Sequence, residues 1–234
     1  MISIVISSRE LGRKNLGNLN TLLTSLKHSL YDFNNVEVIF KFDEDDILIE
    51  ESLVQASLAN PEINVKYFFS ERYGYLGLHK AYYEAFEIMD PSSYIMVITA
   101  DDFLFRANSN WDEQLLKNSS HLKNEPFIVQ DISRIGQMHD TPIFSKKLIE
   151  LVTLGNSLSV DGLLVDLCSF YLEFNLNNYI VPLPEIADRQ TCNYDWGHER
   201  WNIEREELIR YLNSQEYKDF LNDKREIIKQ YFKI

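Results

Sequence analysis

The sequence predicts an α/β fold: a mostly parallel sheet flanked by helices, with a helical C-terminal extension. Three observations carry this expectation. Four short apolar runs alternate with helix-period segments through the first half of the chain. Each of those runs ends in a polar segment, at the edge where an open parallel sheet binds ligands. The final stretch, Glu204 to Phe232, repeats apolar and charged faces at helical spacing.

Ile2 to Ser7 reads as a buried strand, and Leu16, Leu19, Leu22, Leu23, Leu26 and Leu30 follow at helical spacing. Val36 to Phe42 gives a second strand, Ile47 to Leu58 a second helix, and Val65 to Phe69 a third strand after the break at Pro61. Leu76 to Met89 is a third helix, and Tyr94 to Ile98 a fourth strand running into Thr99-Ala100-Asp101-Asp102. Beyond about residue 110 the pattern loosens. A helix is expected from Trp111 to Leu122, a strand from Phe127 to Gln130, and Pro142-Ile143-Phe144 leads into another helix. Val160 to Phe174 reads as helix, Tyr179 to Val181 as a short strand, and the last stretch as two consecutive helices.

A length of 234 residues suits one domain and allows a substantial core. No repeat, low-complexity tract or linker divides it, so residues 1–234 are read as one unit with halves at about 1–105 and 106–234. The formal charge of −13 opposes phosphate polymers and argues against a nucleic-acid partner, while leaving room for a small anion held through a metal. Cys168 and Cys192 lack metal-type spacing and read as reduced thiols. Without a signal-like start or a membrane-length apolar run, the expected location is cytoplasmic, and Asn118-Ser119-Ser120 reads as a chance glycosylation match. The C-terminal aromatics and lysines could touch a membrane, but interleaved acids such as Glu216, Asp219 and Asp223 favour packing on the domain.

The four strand ends are Ser7-Ser8-Arg9-Glu10, Asp43-Glu44-Asp45-Asp46, Ser70-Glu71-Arg72-Tyr73-Gly74 and Asp101-Asp102. In open parallel sheets ligands bind at this edge, where loops converge without covering the ladder. Adjacent Asp101 and Asp102 repel each other unless a cation or solvent compensates them, which points to Mn²⁺ or Mg²⁺ held by carboxylates, water and substrate phosphate. An exposed acidic turn or a helix cap is the competing reading.

The order Ile2-Ser3-Ile4-Val5-Ile6-Ser7-Ser8-Arg9, Val38-Ile39-Phe40-Lys41-Phe42-Asp43, Gly74-Tyr75-Leu76-Gly77 and Val97-Ile98-Thr99-Ala100-Asp101-Asp102 resembles GT-A (Rossmann-like) glycosyltransferases, especially family 2. The resemblance covers about the first 105 residues. It implies a nucleotide-sugar donor bound through a divalent cation, and inverting transfer to a hydroxyl of a glycan or other acceptor. By the same resemblance Ser7 and Arg9 line the nucleotide pocket, and Asp43 recognises the base or ribose. Asp101 and Asp102 match the family's Asp-x-Asp region, although Ala100 occupies its usual first acidic position. Arg72 and Lys80 could approach the diphosphate, with Gly74 and Gly77 allowing close backbone passage.

On the acceptor side, Met138-His139-Asp140-Thr141-Pro142-Ile143-Phe144-Ser145-Lys146-Lys147 resembles a segment of family-2-like transferases. Asp161 is the candidate base and Asp140 the runner-up; a helix N-terminal carboxylate is the competing role for Asp161. Asp195-Trp196-Gly197-His198-Glu199-Arg200-Trp201 reads as a connector before a helix, in which His198 could reach the metal or phosphate and an indole could stack on sugar. Two other functions remain open: a sugar-phosphate nucleotidyltransferase, for which Gly12-Arg13-Lys14 is a poor phosphate loop, and a catalytically inactive nucleotide- or carbohydrate-binding module.

Overall fold

The computed structural model describes residues 1–8, 18–131, 141–154, 159–189 and 198–234. Strand β1 (Ile2–Ser8) is followed by α1 (Asn18–Ser29), β2 (Val36–Asp43), α2 (Ile49–Ala59), β3 (Asn64–Ser70), α3 (Leu78–Ile88) and β4 (Ile95–Ala100). The alternation predicted for the first half is therefore present. Then come β5 (Phe103–Phe105), α4 (Trp111–Ser119), β6 (Ile128–Gln130), β7 (Ile143–Ser145), α5 (Lys146–Val152), α6 (Val160–Glu173), β8 (Ile180–Pro182) and β9 (Ala187–Arg189). The chain ends in α7 (His198–Leu212) and α8 (Gln215–Phe232).

The main sheet has seven strands in the order β3-β2-β1-β4-β7-β6-β8. Pairings among β1 to β4 are parallel, as is β6 with β8, while β7 runs antiparallel to both β4 and β6. Because β4 and β6 both oppose β7, they point the same way. The carboxyl ends of β1, β2, β3, β4, β6 and β8 thus share one edge. A second sheet pairs β5 with β9 just beyond Asp101-Asp102.

Alternation along the strands builds two cores, because successive side chains leave a strand on opposite faces. Ile4, Ile6, Phe40 and Phe42 pack with Leu22 and Leu26 of α1, Leu53 of α2 and Trp111 of α4. Val5, Ile39, Met96 and Ile98 pack on the other face with Tyr82 of α3, Leu148 of α5, Leu164 of α6 and Ile228 of α8. The aromatic C-terminal helix is held to this second layer. Ile228 is fully buried, the Tyr217 hydroxyl donates to Asp166 on α6 at 2.6 Å, and the Phe232 ring lies 4.6 Å from that of Tyr179. Packing on the domain is thus the role of those aromatics.

The structure departs from the sequence expectation at two places and agrees with it at Asn118. Ile143-Phe144-Ser145 is a full sheet strand, too short for periodicity to declare, and so are β5 and β9. The last helical pair starts earlier than Glu204: His198 is the first residue of α7 and not part of a connector. Asn118 lies within α4 and donates to the Pro182 carbonyl at 3.1 Å, a helical setting unlike an acceptor loop. Among the described residues no helix is long and apolar enough to cross a membrane.

Candidate active site

The parallel registers gather the polar strand ends. Ser7 lies opposite Lys41 on β2 and Ala100 on β4, and Asp43 lies opposite Ser70 on β3. Since Phe40 and Phe42 face the α1 and α2 layer, Lys41 and Asp43 leave β2 on the α3 side.

Lys41 is only 1% exposed, a condition an ammonium tolerates only when paired. Its Nζ lies 2.5 Å from Asp43 Oδ1, donates to the Glu71 carbonyl at 2.9 Å, and sits 5.1 Å from the Tyr73 ring centre. The clamp therefore joins β2 to the segment leaving β3. Arg72 is half exposed and its Nε stands 3.9 Å from Asp43 Oδ2; Lys80, at the start of α3, lies 5.3 Å from the Tyr73 ring centre. The Tyr73 hydroxyl donates to Glu84 at 2.5 Å, and this bond to a carboxylate, with some burial, pushes its pKa up to about 12. Two glycines make the turn possible: Gly74 has a φ of 67°, and a Cβ on Gly77 would come within 2.7 Å of Tyr73 Cβ.

At the end of β4, Asp101 is buried and its Oδ2 accepts from the Ser8 hydroxyl at 2.5 Å. Ser8, one residue beyond the Ser7 singled out from sequence, thus ties β1 to the acidic turn. Asp102 follows half buried. No group of three or more His, Cys, Asp or Glu side chains suited to a metal occurs among the described residues. Two adjacent carboxylates, one of them oriented by a serine, still fit a Mg²⁺ or Mn²⁺ that takes one or two protein carboxylates and fills its shell with water and phosphate.

Asp161 lies in the first turn of α6, partly exposed. Ser159 caps that helix, its hydroxyl accepting from the Gly162 amide at 3.1 Å. The Asp161 carboxylate is consequently not the cap. It is close enough to the buried Tyr82 of α3 that its charge adds to burial in raising the tyrosine pKa. Arg9, Asp140 and Trp196 lie outside the described residues, and the side chains of His198 and Trp201 do as well.

The structure therefore brings Ser7, Ser8, Asp43, Arg72, Asp101 and Asp102 to one sheet edge. Lys41 was overlooked in the sequence, although a lysine inside Val38-Ile39-Phe40-Lys41-Phe42 was itself the signal: a charge in a buried strand needs a partner.

No family model and no curated protein sequence matches this chain. Solved structures do. A mannosyltransferase from Pyrobaculum calidifontis, PcManGT in complex with GDP-Man and Mn²⁺, superposes with a TM-score of 0.59 at 14% identity, covering 97% of this chain and 69% of that one. Residues 1–349 of S. aureus TarS give 0.58 at 13% identity over 98% of this chain and 72% of that one. The fold is GT-A-like. A structure of that TarS segment in complex with UDP gives 0.57 at 13% identity over 94% and 74% of the two chains. Against a longer TarS chain, this GT-A-like domain spans 43% of the length.

Proposed function

We propose that this GT-A-like domain is a metal-assisted, inverting glycosyltransferase, moving a sugar from a nucleotide-sugar donor to a hydroxyl of a glycan or other acceptor. The observation that carries the reading is the meeting, at one sheet edge, of a Lys41-held Asp43 and a Ser8-held Asp101 with Asp102 beside it. One carboxylate set suits a nucleoside and the other a cation on its diphosphate. The likeness to a structure holding GDP-Man and Mn²⁺ supports the same assignment.

Asp43 accepts from the ribose or base, with Lys41 fixing its orientation. Asp101 and Asp102 would hold Mn²⁺ or Mg²⁺, and such an ion would supply positive charge against the diphosphate of the donor. Arg72, whose exposed guanidinium is free to turn from Asp43 toward the phosphates, and Lys80 add positive charge nearby. Asp161 takes the acceptor proton as the acceptor oxygen bonds the anomeric carbon.

A screen of nucleoside diphosphates and nucleotide sugars, each with and without Mn²⁺ or Mg²⁺, tests the reading through thermal stabilisation and slow donor hydrolysis. Metal-dependent stabilisation by one nucleoside diphosphate is expected, together with slow hydrolysis of the matching nucleotide sugar to free sugar and that diphosphate. Pyrophosphate formed from a nucleoside triphosphate and a sugar phosphate would make the domain a nucleotidyltransferase. Binding with no turnover toward any acceptor would leave a binding module.

A further inference from the structure

The main sheet ends in two edges of opposite character. At one, β8 runs only from Ile180 to Pro182, closes on a proline, and has the Pro182 carbonyl taken by Asn118 at 3.1 Å. Shortness, proline and a covering side chain blunt an edge against pairing with another strand. At the other, β3 keeps seven residues, Asn64-Val65-Lys66-Tyr67-Phe68-Phe69-Ser70, in unbroken register with β2 and without Pro or Gly. Its one charged residue, Lys66, pairs with the fully buried Glu37 at 2.7 Å.

The Glu44 amide donates to the Ser70 carbonyl at 3.0 Å, so Ser70, Phe68 and Lys66 turn their backbone toward β2, and Phe69, Tyr67 and Val65 turn theirs outward. No backbone partner for these outward groups occurs among the described residues. Their side chains share the sheet face of α1 and α2, where the Tyr67 and Phe69 rings pack on Phe42 yet stay 50% and 42% exposed. On α2, Val54 and Leu58 are exposed as well. Unpaired backbone beside exposed apolar side chains is a template for another strand.

The sequence of β3 fits a second copy of itself. In an antiparallel pair about a two-fold at the strand's midpoint, Tyr67 meets Tyr67 of the partner subunit, Val65 meets the partner's Phe69, and Asn64 meets the partner's Ser70. Val65, Tyr67 and Phe69 are the residues whose backbone faces outward, so this register exchanges their amides and carbonyls directly. Beyond the strand ends Glu62 comes opposite the partner's Arg72, with side chains 40% and 46% exposed. Glu62 also pairs with Lys27 and Arg72 with Asp43, so these opposite charges select the register more than they add affinity. A two-fold at Lys66 would set two lysines against each other, and one at Phe68 would leave Asn64 and Val65 outside the overlap.

We propose that the β3 edge is a homodimer interface, in which two β3 strands pair antiparallel about a two-fold at Tyr67 and continue the main sheet from one subunit into the next. Such a self-complementary contact closes at two copies, and the blunted β8 edge adds no third. The formal charge of −13 opposes association at long range, an effect that salt screens while leaving the apolar contact intact.

Sedimentation velocity across about 1 to 100 μM protein, at about 0.15 M salt, compares the wild type with Tyr67→Lys, Tyr67→Glu and an equimolar mixture of the two. The wild type is expected to move from one chain mass to two. Each variant alone should stay at one, because like charges then meet at the two-fold, and the mixture should regain two, because opposite charges do. Circular dichroism establishes that each variant is folded. Amide exchange of the wild type supplies a readout without substitution: raising the concentration should slow Val65, Tyr67 and Phe69 by about tenfold or more and leave Val181 of β8 unchanged. A wild type that is monomeric throughout, with exchange at β3 independent of concentration, overturns the dimer and leaves the edge to a different partner. Dimeric variants, or protection that rises elsewhere and not in β3, place the contact on another surface and overturn it equally. Monomeric variants whose mixture stays monomeric reject the pairing at Tyr67.

Discussion

Lys41 Nζ lies 2.5 Å from Asp43 Oδ1, two residues along the same strand, with the lysine side chain only 2% exposed and the aspartate's 11%. The pair sits where the nucleoside is proposed to bind, so each member fixes the other's geometry and neither can be changed in isolation. Lys41→Met removes the buried ammonium 2.5 Å from that carboxylate, and Arg72, 3.9 Å away, compensates only in part. Removing one partner of a buried ion pair costs about 3 kcal/mol, whereas replacing both with neutral groups is close to neutral. Denaturant unfolding should therefore show a loss of that order for Lys41→Met and recovery of most of it in Lys41→Met with Asp43→Asn. A single variant as stable as wild type contradicts the clamp.

The same geometry decides how nucleoside recognition is tested at Asp43. Asp43→Ala leaves Lys41 buried without its carboxylate and confounds binding with folding, while Asp43→Asn keeps an acceptor oxygen for the lysine. Calorimetry with a nucleoside monophosphate in the absence of metal should show affinity falling about tenfold or more in Asp43→Asn, consistent with loss of a charge-assisted hydrogen bond. An unchanged affinity removes Asp43 from the nucleotide site.

Asp102→Asn should weaken the metal-dependent part of nucleoside diphosphate binding while leaving metal-free nucleoside binding intact. Titration of Mn²⁺ at fixed nucleotide reads this directly. Asp101→Asn is expected to act differently, because Asp101 also accepts the Ser8 hydroxyl that ties β1 to the turn, so its change lowers thermal stability as well. If Asp102→Asn binds nucleotide with wild-type metal dependence, the cation is held elsewhere.

Asp161→Asn should lower turnover by about two orders of magnitude while donor affinity and melting temperature change little. The stability expectation follows from the helix cap, since Ser159 and not Asp161 satisfies the Gly162 amide. Near wild-type transfer by the folded variant would eliminate Asp161 as the base. Asp140 would then inherit the test.

The Asp166 carboxyl, which accepts from Tyr217 between α6 and α8, is held above the ordinary carboxylate pKa by burial, with the tyrosine bond acting in the opposite direction. A carboxyl raised in the folded state contributes stability that is present below its ordinary value and is lost as pH rises through its folded value. Asp166→Asn should accordingly melt slightly above wild type at neutral pH, the gain being small because the site is partly exposed. The difference should vanish toward pH 3.8, the ordinary value. A gain that persists unchanged at acid pH would assign it to packing instead.

By itself the sequence determined the sheet's parallel half and its chemistry-bearing ends, because apolar periodicity is local. Ile2 to Ser7, Val36 to Phe42, Val65 to Phe69 and Tyr94 to Ile98 all became strands, and the polar residues after them became the edge where the proposed site lies. Short elements carry too few residues for a period to emerge, and so β5, β7 and β9 were legible only once paired with their neighbours. The tertiary structure alone decided which side chains meet. Ser8 reaches Asp101 across 93 residues because β1 and β4 are adjacent and parallel, and Thr141 reaches Glu185 across 44 because β7 enters the sheet against the direction of its neighbours. The Lys41 clamp depends on which face of β2 is turned toward α3. Those contacts follow from strand order and register, which depend on how distant segments bury one another's apolar faces and not on any local pattern.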